Sequence, residues 1–123
     1  MSARSIERNQ FLCDVFITAI EGGINYWAEV ESYGWYGRMT DGSFYAWVVE
    51  FEKDDAEAVR VDIDVIARGF ARLPAWLLRQ GFAKDHYFWQ AIEANRSNGE
   101  DGDFDSSVAD IIVQLGLLGE IRY

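Results

Sequence analysis

Two patterns in this chain could do chemistry, and both are patterns of contact rather than of bond-making. The first is aromatic. Tyr33, Trp35 and Tyr36 crowd a glycine-bracketed turn, Gly34-Trp35-Tyr36-Gly37, and the segment Glu21-Gly22-Gly23-Ile24-Asn25-Tyr26-Trp27 sets an amide and an indole just after a glycine pair. Glycines let backbone approach a ligand closely, Asn25 offers both a donor and an acceptor, and Trp27 can stack on a base. Rings at a turn are harder to bury than rings inside a strand. Tyr33, Trp35 and Tyr36 therefore suit stacking on a nucleobase or anchoring a protein interface. The segment 21–27 reads equally well as a helix stop and a turn into a strand, with Tyr26 or Trp27 in the core.

The second pattern is acidic. The net charge is −10, and two stretches, 50–64 and 100–110, carry −5 each, so elsewhere acids and bases cancel. In a strand, Glu50, Glu52 and Asp54 would project from one face roughly 6.7 Å apart. Such a ladder can imitate a phosphate backbone in the basic groove of a DNA-binding protein, although a solvated surface explains it as simply. Asp101, Asp103 and Asp105 form the second acidic group. They resemble the opening of a calcium loop, but Ser106 replaces the turn glycine and Ile112 stands where the bidentate glutamate belongs. Asp62 and Asp64 could contribute to a magnesium site, yet beside a helix start they read as a cap and its solvated neighbour.

Catalytic patterns are missing. His86 is the one histidine and Cys13 the one cysteine, and no sequence feature joins them. With two such ligands zinc is unsupported, and the nucleophile elbow, phosphate loop and dinucleotide fingerprint are all absent. No cofactor is implied. The acidity disfavours direct binding to nucleic acid or to an anionic membrane, both of which need clustered bases. A lone cysteine, no apolar run of membrane-spanning length and a polar N-terminus point to a cytoplasmic protein.

The elements that must position these residues follow from periodicity. Residues 6–20 place Phe11, Leu12, Val15, Phe16, Ala19 and Ile20 at helical spacing, and Gly22-Gly23 stops the helix. A strand is predicted over 26–33. The alternation over 44–52 predicts a second strand, with Tyr45, Trp47, Val49 and Phe51 toward the core and Phe44, Ala46, Val48, Glu50 and Glu52 away from it. A short strand over 59–61 leads to Asp62, an N-cap for a helix carrying Val65, Ile66, Phe70 and Leu73. Pro74 should end that helix or open a short one that Gly81 stops. Another helix, 85–95, carries Phe88, Trp89 and Ile92. The last starts near Asp105-Ser106-Ser107, presents Val108, Ile111, Ile112 and Leu115, and stops at Gly119. Residues 120–123 are expected to join the sheet as a final strand. The order implies one α+β domain over 1–123, a small, mainly antiparallel sheet covered by several helices in a single pair of layers.

Glu21-Gly22-Gly23-Ile24-Asn25-Tyr26-Trp27, together with Val108-Ala109-Asp110-Ile111-Ile112-Val113-Gln114 leading into Gly119-Glu120-Ile121, resembles a family of small uncharacterised proteins of bacteriophages, prophages and mobile elements. The likeness covers both ends of the chain and leaves 33–103 unmatched. It implies no catalytic or binding residue. What it implies is context, an accessory product that inhibits or modulates a host system, such as defence, in a bacterial cytoplasm. The expectation is a non-catalytic binding protein. It would hold a small nucleotide-like ligand through Asn25, Trp27, Tyr33, Trp35 and Tyr36, or else a host protein. An acidic mimic of nucleic acid and a small enzyme without a local motif are the alternatives. Oligomeric state is not set by the sequence.

Overall fold

The computed structural model describes residues 4–31, 41–51 and 57–123. Helix α1 (Ile6–Thr18) starts where the Ser5 hydroxyl accepts the Arg8 N–H at 3.1 Å, a side-chain cap for an otherwise orphaned donor. Its apolar stripe, Phe11, Leu12, Val15 and Phe16, is buried. The glycine pair does not stop the helix as expected but is taken into a π turn, Ala19–Gly23, after which the Ile24 N–H reaches back five residues to the Ala19 carbonyl at 2.9 Å.

Three short antiparallel strands follow, β1 (Ala28–Val30), β2 (Tyr45–Glu50) and β3 (Val59–Asp62), in the order β1-β2-β3. Glu29 lies opposite Val49, and Trp47 opposite Arg60. The pleat of β2 is the reverse of the sequence expectation. Phe44, Ala46 and Val48 are buried, whereas Trp47 is 36% and Phe51 53% exposed. Both sides of this segment are apolar over most of its length, so alternation alone did not choose the face. The helices covering the sheet take the smaller set, and the larger rings find partners outside. There the Arg60 guanidinium lies 4.3 Å over the Tyr45 ring, and the Tyr45 and Trp47 rings meet edge to face.

Helix α2 (Ile63–Gln80) is capped by the Asp62 carboxylate, which accepts the Asp64 and Val65 N–H groups at 3.0 and 3.3 Å. Such a cap contributes about 1 kcal/mol. Pro74 neither ends the helix nor opens another, contrary to expectation. Proline removes only its own backbone donor, and the buried stripe of Phe70, Leu73 and Leu77 runs straight past it, so tertiary packing outweighs a local cost of about 3 kcal/mol. Gly81, at φ 78°, closes the helix as expected.

A 3-10 turn (Tyr87–Trp89) opens α3 (Gln90–Ser97), and Asn98 ends it in the left-handed region. Helix α4 (Ser106–Leu117) begins at Asp105, whose carboxylate accepts the Val108 N–H at 3.0 Å. Helices α2 and α4 cross at glycines. A Cβ on Gly69 would stand 2.0 Å from the Ile112 carbonyl oxygen, and one on Gly116 2.0 Å from that of Val65. Backbones touch there. The tail, residues 121–123, forms no strand. Instead its backbone is held by a side chain of α4, described below. The fold is α+β, with four helices against a three-stranded antiparallel sheet. No helix among the described residues is long and apolar enough to cross a membrane.

Candidate functional site

The face of α4 turned away from α2 carries an acid and an amide one turn apart, Asp110 and Gln114, inside a run that is otherwise apolar from Val108 to Leu115. Both are buried, Asp110 at 7% and Gln114 at 1% exposure. The π turn brings their partners. A Cβ on Gly23 would lie 2.7 Å from the Ser106 carbonyl oxygen, so glycine is what allows the turn to rest on the first turn of α4. Directly after it, Tyr26 and Trp27 point their polar atoms at the same carboxylate.

Asp110 Oδ1 accepts the Trp27 indole N–H at 2.7 Å and the Gln114 amide at 3.0 Å, and Oδ2 accepts the Tyr26 hydroxyl at 2.7 Å. A buried carboxylate carries a desolvation penalty of several kcal/mol, and hydrogen bonds to a charged group contribute about 1.5–3 kcal/mol each. Three neutral donors therefore go far toward holding Asp110 in place. Tyr26 as a whole is 62% exposed, but partial burial of its hydroxyl end, then the hydrogen bond and negative charge of Asp110, push that hydroxyl up to about 12, with an opposing contribution from Gln114.

Gln114 works on both sides. Its amide nitrogen donates to Asp110, and its Oε1 accepts the backbone N–H groups of Arg122 and Tyr123 at 2.9 and 3.0 Å. That docking sets the Tyr123 ring flat on the Trp27 indole, with centroids 5.0 Å apart and an angle of 9°. The Tyr123 hydroxyl reaches β2, donating to Glu50 Oε2 at 2.6 Å, which raises its pKa. Arg122 spans Glu50 and Glu120, each at 3.5 Å.

Between the π turn, α4, the tail and Trp76 of α2 lies a cavity of about 470 Å³. Asp110, Tyr26, Gln114, Ser106 and Ser107 give its wall polar groups, while Trp76, Ile111, Ile121 and Tyr123 supply rings and aliphatic surface. A concave site with a few convergent polar groups on an apolar wall is the usual form of a small-molecule site.

The residues singled out by sequence distribute differently. Trp27 belongs to this region but as structure, since it is 1% exposed and covered by Tyr123, so it offers no free face to a base. Asn25 is exposed and lines a separate groove beside β1, with Glu29, Glu31 and Phe51. Tyr33, Trp35, Tyr36, Glu52 and Asp54 lie outside the described residues. Glu50 is half-buried and engaged by the tail rather than projecting into solvent as one rung of a ladder. Asp103 and Asp105 accept neighbouring backbone N–H groups, and Asp101 is exposed in the 97–103 loop. Among the described residues no group of three or more His, Cys, Asp or Glu side chains is placed to hold a metal ion.

Cys13 and His86, the one cysteine and the one histidine, lie in separate elements. Cys13 is fully buried in α1, and burial, with Asp14 and Asp41 adding to it, pushes its thiol up to about 11. At neutral pH the reactive thiolate is suppressed. The His86 imidazole accepts the Phe88 N–H at its Nδ1 and packs among Phe82, Tyr87 and Phe88.

Sequence reasoning missed Asp110 and Gln114 as a pair, and with them Trp76 and Tyr123. One signal was present. An acid and an amide four residues apart on a helix face that must be buried demand partners, and Tyr26 and Trp27 are donors of the right kind. The two segments of the family resemblance thus meet in space, the first through Gly23, Tyr26 and Trp27, the second through Asp110, Gln114 and Ile121. Set against protein-family models, curated proteins and solved structures, the chain matches none.

Proposed function

We propose that this chain is a non-catalytic binding protein that holds a small ligand in the cavity between the π turn and α4. In the phage or mobile-element context of the resemblance, that binding would inhibit or modulate a host system. One observation carries the reading. A carboxylate nine-tenths buried, braced by three donors, lines an open cavity walled by aromatic rings. A purely structural acid has no need of the cavity, and a purely apolar gap has no need of the acid. Of the nucleotide-like ligand expected from sequence, only the base suits this cavity, against Tyr26 and Trp76 in the stacking role first given to Trp27, because a phosphate would face Asp110.

The protein-partner reading through the acidic segments has less support, because Glu50, Asp103 and Asp105 make contacts within the chain. A panel of small molecules that includes nucleotides and amines, scored by thermal shift, tests the ligand reading. A ligand that favours the native state stabilises by mass action, about 2.7 kcal/mol at a hundredfold excess over Kd. The expected result is a shift that Trp76→Ala removes. A panel in which no compound moves Tm, or in which Trp76→Ala responds as the parent does, counts against it.

A further inference from the structure

The charge balance around Asp110 says more about the ligand than the cavity's shape does. Resting on the reading above, we infer that the occupant is a small organic cation, an ammonium or amidinium group carried on a compact apolar body. All three of the groups that hold the carboxylate are neutral: an indole, a phenol and a primary amide. Five ion pairs join described residues elsewhere, and none includes Asp110. The acid is therefore buried with its negative charge uncompensated by any Lys or Arg among the described residues. Buried charges are ordinarily paired, so the partner charge is to be sought in what enters the cavity.

The geometry of acceptance agrees. Oδ1 already takes two donors and Oδ2 one, which leaves Oδ2 able to accept another. The same cavity offers the Ser106 and Ser107 hydroxyls as further acceptors, and the rings of Tyr26 and Trp76 as faces for a cation. Ile111 and Ile121 supply the apolar wall that a hydrocarbon body would cover. A phosphate in this place would meet the carboxylate at close quarters in a poorly screened setting, and repulsion would expel it. The site selects positive charge.

Calorimetric titration of the intact protein with three probes of similar bulk tests the class: phenethylammonium, the neutral isostere phenylethyl alcohol, and adenosine monophosphate. The expected result is phenethylammonium bound at least tenfold more tightly than the alcohol, weakening with added salt, and no binding of the anion. Asp110→Asn should weaken the ammonium at least tenfold. Because that variant also disturbs the hydrogen bonds to Tyr26 and Trp27, Ile111→Lys gives a second route. It leaves Asp110 intact and places a tethered ammonium in the cavity, so it should exclude phenethylammonium. If the alcohol binds as tightly as the ammonium in the wild-type protein, or if both variants still bind the ammonium normally, the cation is wrong while the pocket reading survives. If neither these probes nor the wider panel bind, both fall.

Discussion

Helix α4 meets α2 along one face and meets the π turn with the C-terminal tail along the other, and the two seams differ in what fills them. Against α2 the helices approach until backbone touches backbone, at Gly69 and Gly116, with Val65, Ile66 and Ile112 filling the rest. Nothing could enter there without parting the helices. Against the π turn the same helix presents a carboxylate and an amide, and the space beside them is a cavity. Close packing dominates the first seam, where Arg68 and Arg72 of α2 add bonds to the Gly116 and Leu115 carbonyls, whereas the second combines one close approach at Gly23 with side-chain hydrogen bonds centred on Asp110. Directional bonds can hold elements apart at fixed distance, and that is how a small fold keeps a cavity beside closely packed helices.

The comparison can be broken most directly at the close seam. Gly69→Ala drives a methyl group into the Ile112 carbonyl, so unfolding in denaturant should show a loss of about 3 kcal/mol or more, at or beyond the upper end for overpacked cores. At the polar seam, Asp110→Ala strands the buried Trp27 indole N–H and leaves the Gln114 amide only a long bond to the Tyr26 hydroxyl, and should cost about 2–3 kcal/mol by the same measurement. Gln114→Ala should cost less, about 1–2 kcal/mol, because the freed tail groups can turn to water. Its distinguishing sign should be rapid hydrogen exchange at the amides of Arg122 and Tyr123.

The smallest effect sharpens the comparison by pH. The Tyr26 hydroxyl is raised above its ordinary value of 10 to about 12, and its neutral form is the one that donates to Asp110. Its stabilising contribution should be complete below about pH 10 and lost as pH rises through about 12. An alkaline titration followed by tyrosinate absorbance should show a late-titrating group that Tyr26→Phe deletes. If Tyr26→Phe leaves the alkaline limb of the curve unchanged, the bond to Asp110 is not what holds this phenol neutral.

The helices themselves could be read in the sequence, but neither the glycines that let α2 and α4 touch nor the polar seam could. Helix α1 and the caps at Asp62 and Asp105 follow from local chemistry, in which a short polar side chain satisfies nearby backbone donors, and the structure has them where periodicity places them. Pro74 misled because its cost is local whereas the stripe that overrides it, Phe70, Leu73 and Leu77, acts through contacts with other elements. β2 misled because both of its faces are rich in apolar residues, and only the helices above it decide that Ala46 rather than Trp47 goes in. For the tail, apolar and aromatic residues at 121 and 123 suggested pairing with the sheet. What holds its backbone is the Gln114 oxygen, with the Tyr123 and Arg122 side chains reaching Glu50, and no propensity encodes such contacts. Asp110 went unread for the same reason, since its partners are more than eighty positions away.

The amide of Gln114 is gripped at both ends, oxygen by the tail and nitrogen by Asp110, so it cannot rotate by half a turn without losing every bond it makes. The neutral amide nitrogen is what lets this side chain sit beside the Asp110 carboxylate. Deamidation would exchange the nitrogen for a second oxyanion set against the first, and the two would repel in a setting that shields them poorly. The chain would have to release its own end, and the stack of Tyr123 on Trp27 with it, or else hold a proton between the two acids. A Gln114→Glu chain would therefore show either an unlatched C-terminus or a pair of acids sharing one proton.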